Sequence, residues 1–319
     1  MSAIYAWPAE LEWRHAGVAL TLVVPATACN LSCGFCAIRQ RRETLDMALS
    51  PVDYAYFVND IARAEPTAIV SIQGYEPLLP ESWAYTDAIL SAARARGVPS
   101  SLVTNGILLE ERALDLAALQ LAGVTISIDS ASEERHDRLR GRIGALTKTL
   151  AGMRKLAEQE QYAGRITVSS VLLPRRRHFL DDIPNLLAEN GVRHWAISPL
   201  LKIGHGEIGG PVAPTNMIID DVLFLHEKAA SAGVEVVLDD ELGRLRSGTE
   251  SYGKFLIRRF DRPEGLVRLV PSGACSIGHE ILREVDQSTP LWRPSEMAPA
   301  TFLASLRSGS GSQPLMAAA

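Results

Sequence analysis

The sequence predicts an α/β fold on a parallel sheet, and two observations carry that expectation. Short apolar runs recur at residues 18–24, 68–72, 100–104, 124–129, 166–172, 194–198 and 234–238. Longer amphipathic segments separate them, an alternation of strand and helix that argues for right-handed βαβ units. The first run, 18–24, is nearly continuous, as expected of a parallel strand buried on both faces. At least six such units fit an incomplete (β/α)6 barrel, in which functional groups gather at the C-terminal ends of the strands.

Local signals support the elements in turn. Ser50-Pro51-Val52-Asp53 supplies an N-cap, a proline at the first helical position and an acid at the third. Gly97, Gly191 and Gly233 each end a helical stretch and precede an apolar run, as C-terminal caps do. Residues 1–17 read as an N-terminal extension and 18–239 as the barrel. Past Asp239 the alternation weakens, so 240–306 is expected to be an appendage closing the barrel mouth. The Ser/Gly-rich stretch 307–319 reads as a disordered tail.

Composition excludes some classes of function. Apolar residues make up 47% of 319 and charged residues 22%, ordinary values for a protein with a large core. A net charge of −5 argues against nucleic acid as partner and suits a cationic small substrate. Residues 16–38 carry no charge, but Pro25, Asn30, Ser32 and three cysteines interrupt them, so a buried strand and loop is expected and no membrane span. Four cysteines, three of them clustered, make no disulfide framework and point to a reducing, cytoplasmic setting. No signal peptide is evident.

The clustered three are the most specific feature: Cys29-Asn30-Leu31-Ser32-Cys33-Gly34-Phe35-Cys36. Three thiolates can hold three corners of a [4Fe-4S] cube and leave the fourth iron open to a ligand, where an electron-transfer ferredoxin would close it with a fourth cysteine. A zinc-stabilised binding module is the rival from another class, but zinc sites usually pair two short knuckles and only one is present. The spacing, with an aromatic before the last cysteine, resembles the radical S-adenosylmethionine (radical SAM) superfamily. That resemblance implies the partial TIM-like barrel, metal ligands Cys29, Cys33 and Cys36, and S-adenosylmethionine chelating the open iron. It also implies an external one-electron donor of the flavodoxin or ferredoxin type.

Further motifs lie in register with that loop. Gly74-Tyr75-Glu76-Pro77 resembles the family's G-G-E-P turn, with Tyr75 in place of the second glycine; the resemblance implies that Glu76 and the strand edge meet the methionine amino group. Thr104-Asn105-Gly106 resembles the T-N-G turn. Ser127 and Asp129 end the fourth strand on one face, where such groups reach the ribose and methionine moieties. His136-Asp137-Arg138-Leu139-Arg140-Gly141 resembles an H-D-x-x-R-G segment, in which Arg140 either pairs with the methionine carboxylate or forms a structural salt bridge. Ser169 or Ser170 is a further candidate contact, and Phe35 is placed near adenine. The basic runs Arg39/Arg41/Arg42 and Arg175-Arg176-Arg177-His178 read as solvated surface.

Cys275 stands apart. A lone cysteine is by base rate a small buried hydrophobe, but a thiol can also return hydrogen to a substrate carbon radical and so invert its stereocentre. One N-terminal cluster with a single C-terminal cysteine resembles the radical SAM epimerases of aminoglycoside biosynthesis, of the neomycin type. This implies an aminoglycoside or aminosugar substrate, with Asp181-Asp182 or Asp239-Asp240-Glu241 as counter-charges. An aminosugar dehydrogenase or dehydratase is the alternative, and it needs no hydrogen donor at Cys275.

Overall fold

The computed structural model describes residues 17–26, 29–36, 48–200, 214–239, 256–258, 265–277 and 288–308. The expected extension before Gly17, the basic run Arg39/Arg41/Arg42, the acids Asp240-Glu241 and the tail beyond Ser308 lie outside them. The strands are β1 (Ala19–Val24), β2 (Ile69–Gly74), β3 (Ser100–Thr104), β4 (Gly123–Ser127), β5 (Ile166–Leu172), β6 (His194–Pro199), β7 (Glu235–Asp239), β8 (Leu256–Arg258), β9 (Leu266–Leu269) and β10 (Cys275–Ile277). Helices α1 (Pro51–Ala64), α2 (Pro80–Ala95), α3 (Leu109–Leu119), α4 (Glu133–Arg140), α5 (Ala145–Ala157), α6 (Ile183–Glu189) and α7 (Thr215–Ser231) fill the crossovers, and α8 (Pro299–Arg307) follows the last strand.

The strands form one sheet in the order β10-β9-β1-β2-β3-β4-β5-β6-β7-β8. Every neighbouring pair is parallel except β9 with β10, so the fold is a partial TIM-like barrel that extends past six units. The segment expected to be an appendage contributes β8, β9 and β10 to this sheet. β9 pairs with β1, Leu22 opposite Leu269, so the first strand has a neighbour on both sides.

Strand alternation separates two environments. Leu20, Leu22 and Val24 of β1 share a buried cluster with Tyr54, Phe57, Val58 and Ile61 of α1. The opposite, inward face carries small hydroxyls in register: Thr21 opposite Ser71, Ser71 opposite Ser101, and Thr125 opposite Thr167, all buried. Buried polar groups on the helix side find partners. Trp195 Nε1 donates to Ser170 Oγ at 2.9 Å, and that hydroxyl donates to the Ile128 carbonyl.

The expected punctuation is present. Ser50 and Asp53 form a reciprocal capping box at the start of α1, and Gly97, Gly191 and Gly233 have φ between 65° and 71°. Two bonds fix the end of β1 where it leads into the cysteine loop. Tyr54 Oη donates to the Val23 carbonyl at 2.6 Å, and Ser82 Oγ to the Pro25 carbonyl at 2.8 Å.

Candidate functional site

The cysteine loop is laid against the end of α4. Ser32 N donates to the Arg140 carbonyl at 3.0 Å and Gly34 N to the Leu139 carbonyl at 3.4 Å. Ser32 Oγ donates to the Gly141 carbonyl at 3.2 Å, and Arg142 Nη1 donates to the Asn30 carbonyl at 3.1 Å. The last carbonyls of a helix lack partners within it, and here the loop supplies them. Gly141 caps α4 at φ 68°, and a Cβ there would collide with Ser32 Oγ and stand 2.7 Å from the Ser32 carbonyl oxygen. Only a residue without a side chain admits the loop this closely.

A cavity of about 380 Å³ opens at the C-terminal ends of the strands. The loop contributes Cys29, Cys33 and Cys36 to it, together with Leu31 and Ser32. Strand ends contribute Gly74, Tyr75 and Glu76 after β2, Val103, Thr104 and Asn105 from β3, and Ser127 from β4, and α4 adds Arg140. Cys29 Sγ lies 3.4 Å from the Tyr75 carbonyl oxygen, and Asn105 Nδ2 donates to Asn30 Oδ1 at 2.7 Å, so loop and strand ends are locked together. Gly74 needs the unusual φ of 137°; Tyr75 is not among the residues with positive φ, so the missing second glycine costs no strain there.

Glu76 is fully buried and accepts three hydrogen bonds: from Thr104 Oγ1 at 2.6 Å, Asn105 N at 2.8 Å and Leu78 N at 3.1 Å. Burial pushes its carboxyl up from 4.5 to about 7, against the pull of those donors. The native state therefore holds a proton that the unfolded chain has lost. This stabilisation is present below about pH 4.5 and disappears as pH rises through about 7. Relative to Glu76→Gln, the wild-type ligand-free protein should lose about 3 kcal/mol of unfolding free energy between pH 4.5 and 8. Denaturant titrations across that range read the difference, and parallel pH profiles for the two proteins would refute it.

The remaining expected residues fall into two groups. Asp129 and Arg140 form a buried ion pair, Oδ2 to Nη2 at 2.5 Å, with Asp129 Oδ1 accepting from Val171 N at 2.8 Å. Of the alternatives for Arg140, this is a salt bridge, and its Nη1 also lies 3.8 Å from Cys33 Sγ. The Phe35 ring sits 5.4 Å from the Arg140 guanidinium carbon. Ser169 stands opposite Ser127 in the β4–β5 register but is not part of the cavity wall.

Cys275 differs from the sequence expectation of a pocket-facing donor. It lies opposite Leu269 on β10, is 1% exposed, and belongs to the cluster of the helix layer with Leu22 and Trp292. Residue parity turns the thiol outward, while its neighbour Ser276, opposite Arg268, takes the inward face. Burial pushes that thiol up to about 12. Asp181 is also committed elsewhere, lying 3.4 Å from Lys228 Nζ and 4.0 Å from Arg177 Nε, while Asp182 stands at the N-cap position of α6 without a side-chain capping bond. Of the second basic run, Arg177 covers the Phe224 ring at 3.9 Å, a structural contact.

The donor set suits a cluster better than a single ion. Among the described residues no group of three His, Cys, Asp or Glu side chains is placed to hold one metal ion. Zinc would require its thiolates to converge within about 2.3 Å of one point. A cube takes each thiolate at a different iron, and all three cysteines line the one cavity. Burial raises the free thiol of Cys29 to about 12 and also raises Cys33, so loading metal must displace protons.

The partial parallel barrel brings three cysteines and the polar strand ends to one cavity at its mouth. Residues 23–198 match the family model of the radical SAM superfamily. The chain belongs to that superfamily, whose enzymes use a [4Fe-4S] cluster and S-adenosylmethionine. It is 27% identical over 191 residues to the AdoMet-dependent heme synthase of Methanosarcina barkeri, covering 59% of this chain and 52% of that protein. It is 28% identical over 208 residues to the GTP 3',8-cyclase of Clostridium perfringens, covering 64% and 62%. The chain thus spans between half and two thirds of the length of these relatives. In fold it is similar to Streptococcus suis SuiB bound to S-adenosylmethionine, at 15% identity and a TM-score of 0.62, covering 81% of this chain and 59% of that one. This membership replaces the zinc-stabilised module considered from sequence. Among the described residues no helix is long and apolar enough to cross a membrane.

Leu31, Ser32 and Val103 line the cavity although sequence reasoning passed over them. The alternation that turns Ser101 inward also turns Val103 inward and could have found it. Ser32 had no signal except its place inside the cysteine motif.

Proposed function

We propose that Cys29, Cys33 and Cys36 hold the cluster and that the wall of strand ends binds S-adenosylmethionine, so that the chain abstracts hydrogen from a small polar substrate. The observation that carries this reading is the convergence of the three cysteines with Gly74, Glu76, Thr104, Asn105 and Ser127 on one cavity. With Cys29, Cys33 and Cys36 holding the cluster and a flavodoxin- or ferredoxin-type donor feeding it one electron, the cluster and cofactor would supply a 5′-deoxyadenosyl radical able to take a hydrogen atom from the substrate. Glu76 offers its oxygens to the methionine amino group while Thr104 Oγ1 and Asn105 N keep it oriented. A cationic aminosugar is the substrate class that the net charge of −5 favours.

The fate of the substrate radical follows from Cys275. A thiol buried in the helix layer is badly placed to return hydrogen, so the reading favours oxidation or elimination over epimerisation. In oxidation the substrate radical would return one electron to the oxidised cluster and release a proton to solvent, and no protein hydrogen would enter the product. Cys275→Ala should cost about 1 kcal/mol of stability and leave product formation within about twofold of wild type, a barrier change below about 0.5 kcal/mol. Turnover of candidate aminosugars in deuterated water should place no deuterium on the reacting carbon. Lost product with intact cofactor cleavage in the variant, together with deuterium in the wild-type product, would restore the epimerase.

A further inference from the structure

We propose that Arg140 tunes the cluster, raising its reduction potential through a hydrogen bond to the Cys33 sulfur, with Asp129 as the anchor that aims the guanidinium. Arg140 is 7% exposed and divides its terminal nitrogens. Nη2 meets Asp129 Oδ2 at 2.5 Å and Nη1 points to Cys33 Sγ at 3.8 Å. Asp129 is itself fixed, since its other oxygen accepts from Val171 N at 2.8 Å. Phe35 flanks the guanidinium, and the Arg140 carbonyl accepts from Ser32 N at 3.0 Å. Residue 140 therefore grips the cysteine loop by its backbone and one sulfur by its side chain.

A purely structural ion pair would be complete with Asp129 alone. The second nitrogen adds a charge-assisted donor to a thiolate, and such bonds are stronger than those between neutral partners. Reduction adds negative charge that the sulfurs share, so a donor stabilises the reduced form more than the oxidised form. Hydrogen bonds to the sulfurs are among the determinants of cluster potential. Of the two alternatives read from sequence, pairing with the methionine carboxylate would call on the same guanidinium.

The two roles separate when S-adenosylmethionine is left out. EPR-monitored redox titration of the anaerobically reconstituted protein should show Arg140→Gln shifted to a more negative potential without the cofactor, at wild-type iron content. Arg140→Lys keeps the charge but loses the fork, and should shift less in the same direction. Wild-type potentials in both variants without the cofactor overturn the inference, as does a shift that emerges only after the cofactor is added. If Arg140→Gln fails to retain iron, Arg140→Lys decides by the same criterion. The inference rests on the three cysteines holding the cluster. Failure of that reading gives an iron-free wild type, whereas failure of this one gives an iron-loaded variant with an unaltered potential.

Discussion

Changing Cys29, Cys33 or Cys36 singly to Ala should leave a folded protein that lacks cluster iron and cleaves S-adenosylmethionine only at background. Each thiolate is assigned a different iron, so no two can stand in for the third. The cost to the fold should be small, about 1 kcal/mol. Cys29 and Cys33 are only partly buried and pack at the margin of a minor cluster formed by Leu31, Ile107 and Ala145. Iron per chain, the visible absorption of the anaerobically purified protein and 5′-deoxyadenosine release read the result. Full activity in any one of the three would remove that cysteine from the cluster.

Gly141→Ala should be nearly as damaging to the cluster without touching a ligand. The added methyl meets the Ser32 carbonyl oxygen at 2.7 Å, and backbone cannot rotate away as a side chain can. The left-handed φ of 68° adds about 1 kcal/mol for any residue bearing a Cβ, and the collision brings the total to about 3 kcal/mol. Relief requires the cysteine loop to lift from α4, so iron content should fall with stability. Gly144→Ala is the control: its φ is 75°, but nothing lies within 4 Å of the point its methyl would occupy. That variant should lose only the backbone component and keep its iron. Equal effects from the two substitutions would mean that the close approach at Gly141 has no consequence.

The parallel strands were legible because an apolar run flanked by amphipathic helices is a local signal. Two of them, Ser100–Thr104 and Ile166–Leu172, begin and end where the apolar runs do. β8, β9 and β10 were not legible. They are three or four residues long, and β9 and β10 carry Arg268 and Ser276 inward. What makes β8 and β9 strands is pairing with β7 and β1, which no local pattern encodes, and β10 then folds back antiparallel onto β9. The cavity was readable for a related reason: its residues come from short contiguous motifs at strand ends, which fold topology then gathers. Cys275 misled because the side of the sheet it faces depends on the register of β10 against β9. A one-residue slip would have turned it inward.

The pairing of β9 with β1 has a consequence for biosynthesis. The strand leading into the cysteine loop, Ala19–Val24, is translated long before one of its two neighbours, Leu266–Leu269. Until Leu266–Leu269 leaves the ribosome, β1 remains an edge with unpaired amides and carbonyls, the kind of surface that recruits stray strands. Iron delivered to a nascent chain meets a loop whose support is unfinished, and iron delivered after release meets one clamped from both sides. Loading of the proposed cluster is therefore expected to depend on the distal segment, although that segment supplies none of its proposed ligands.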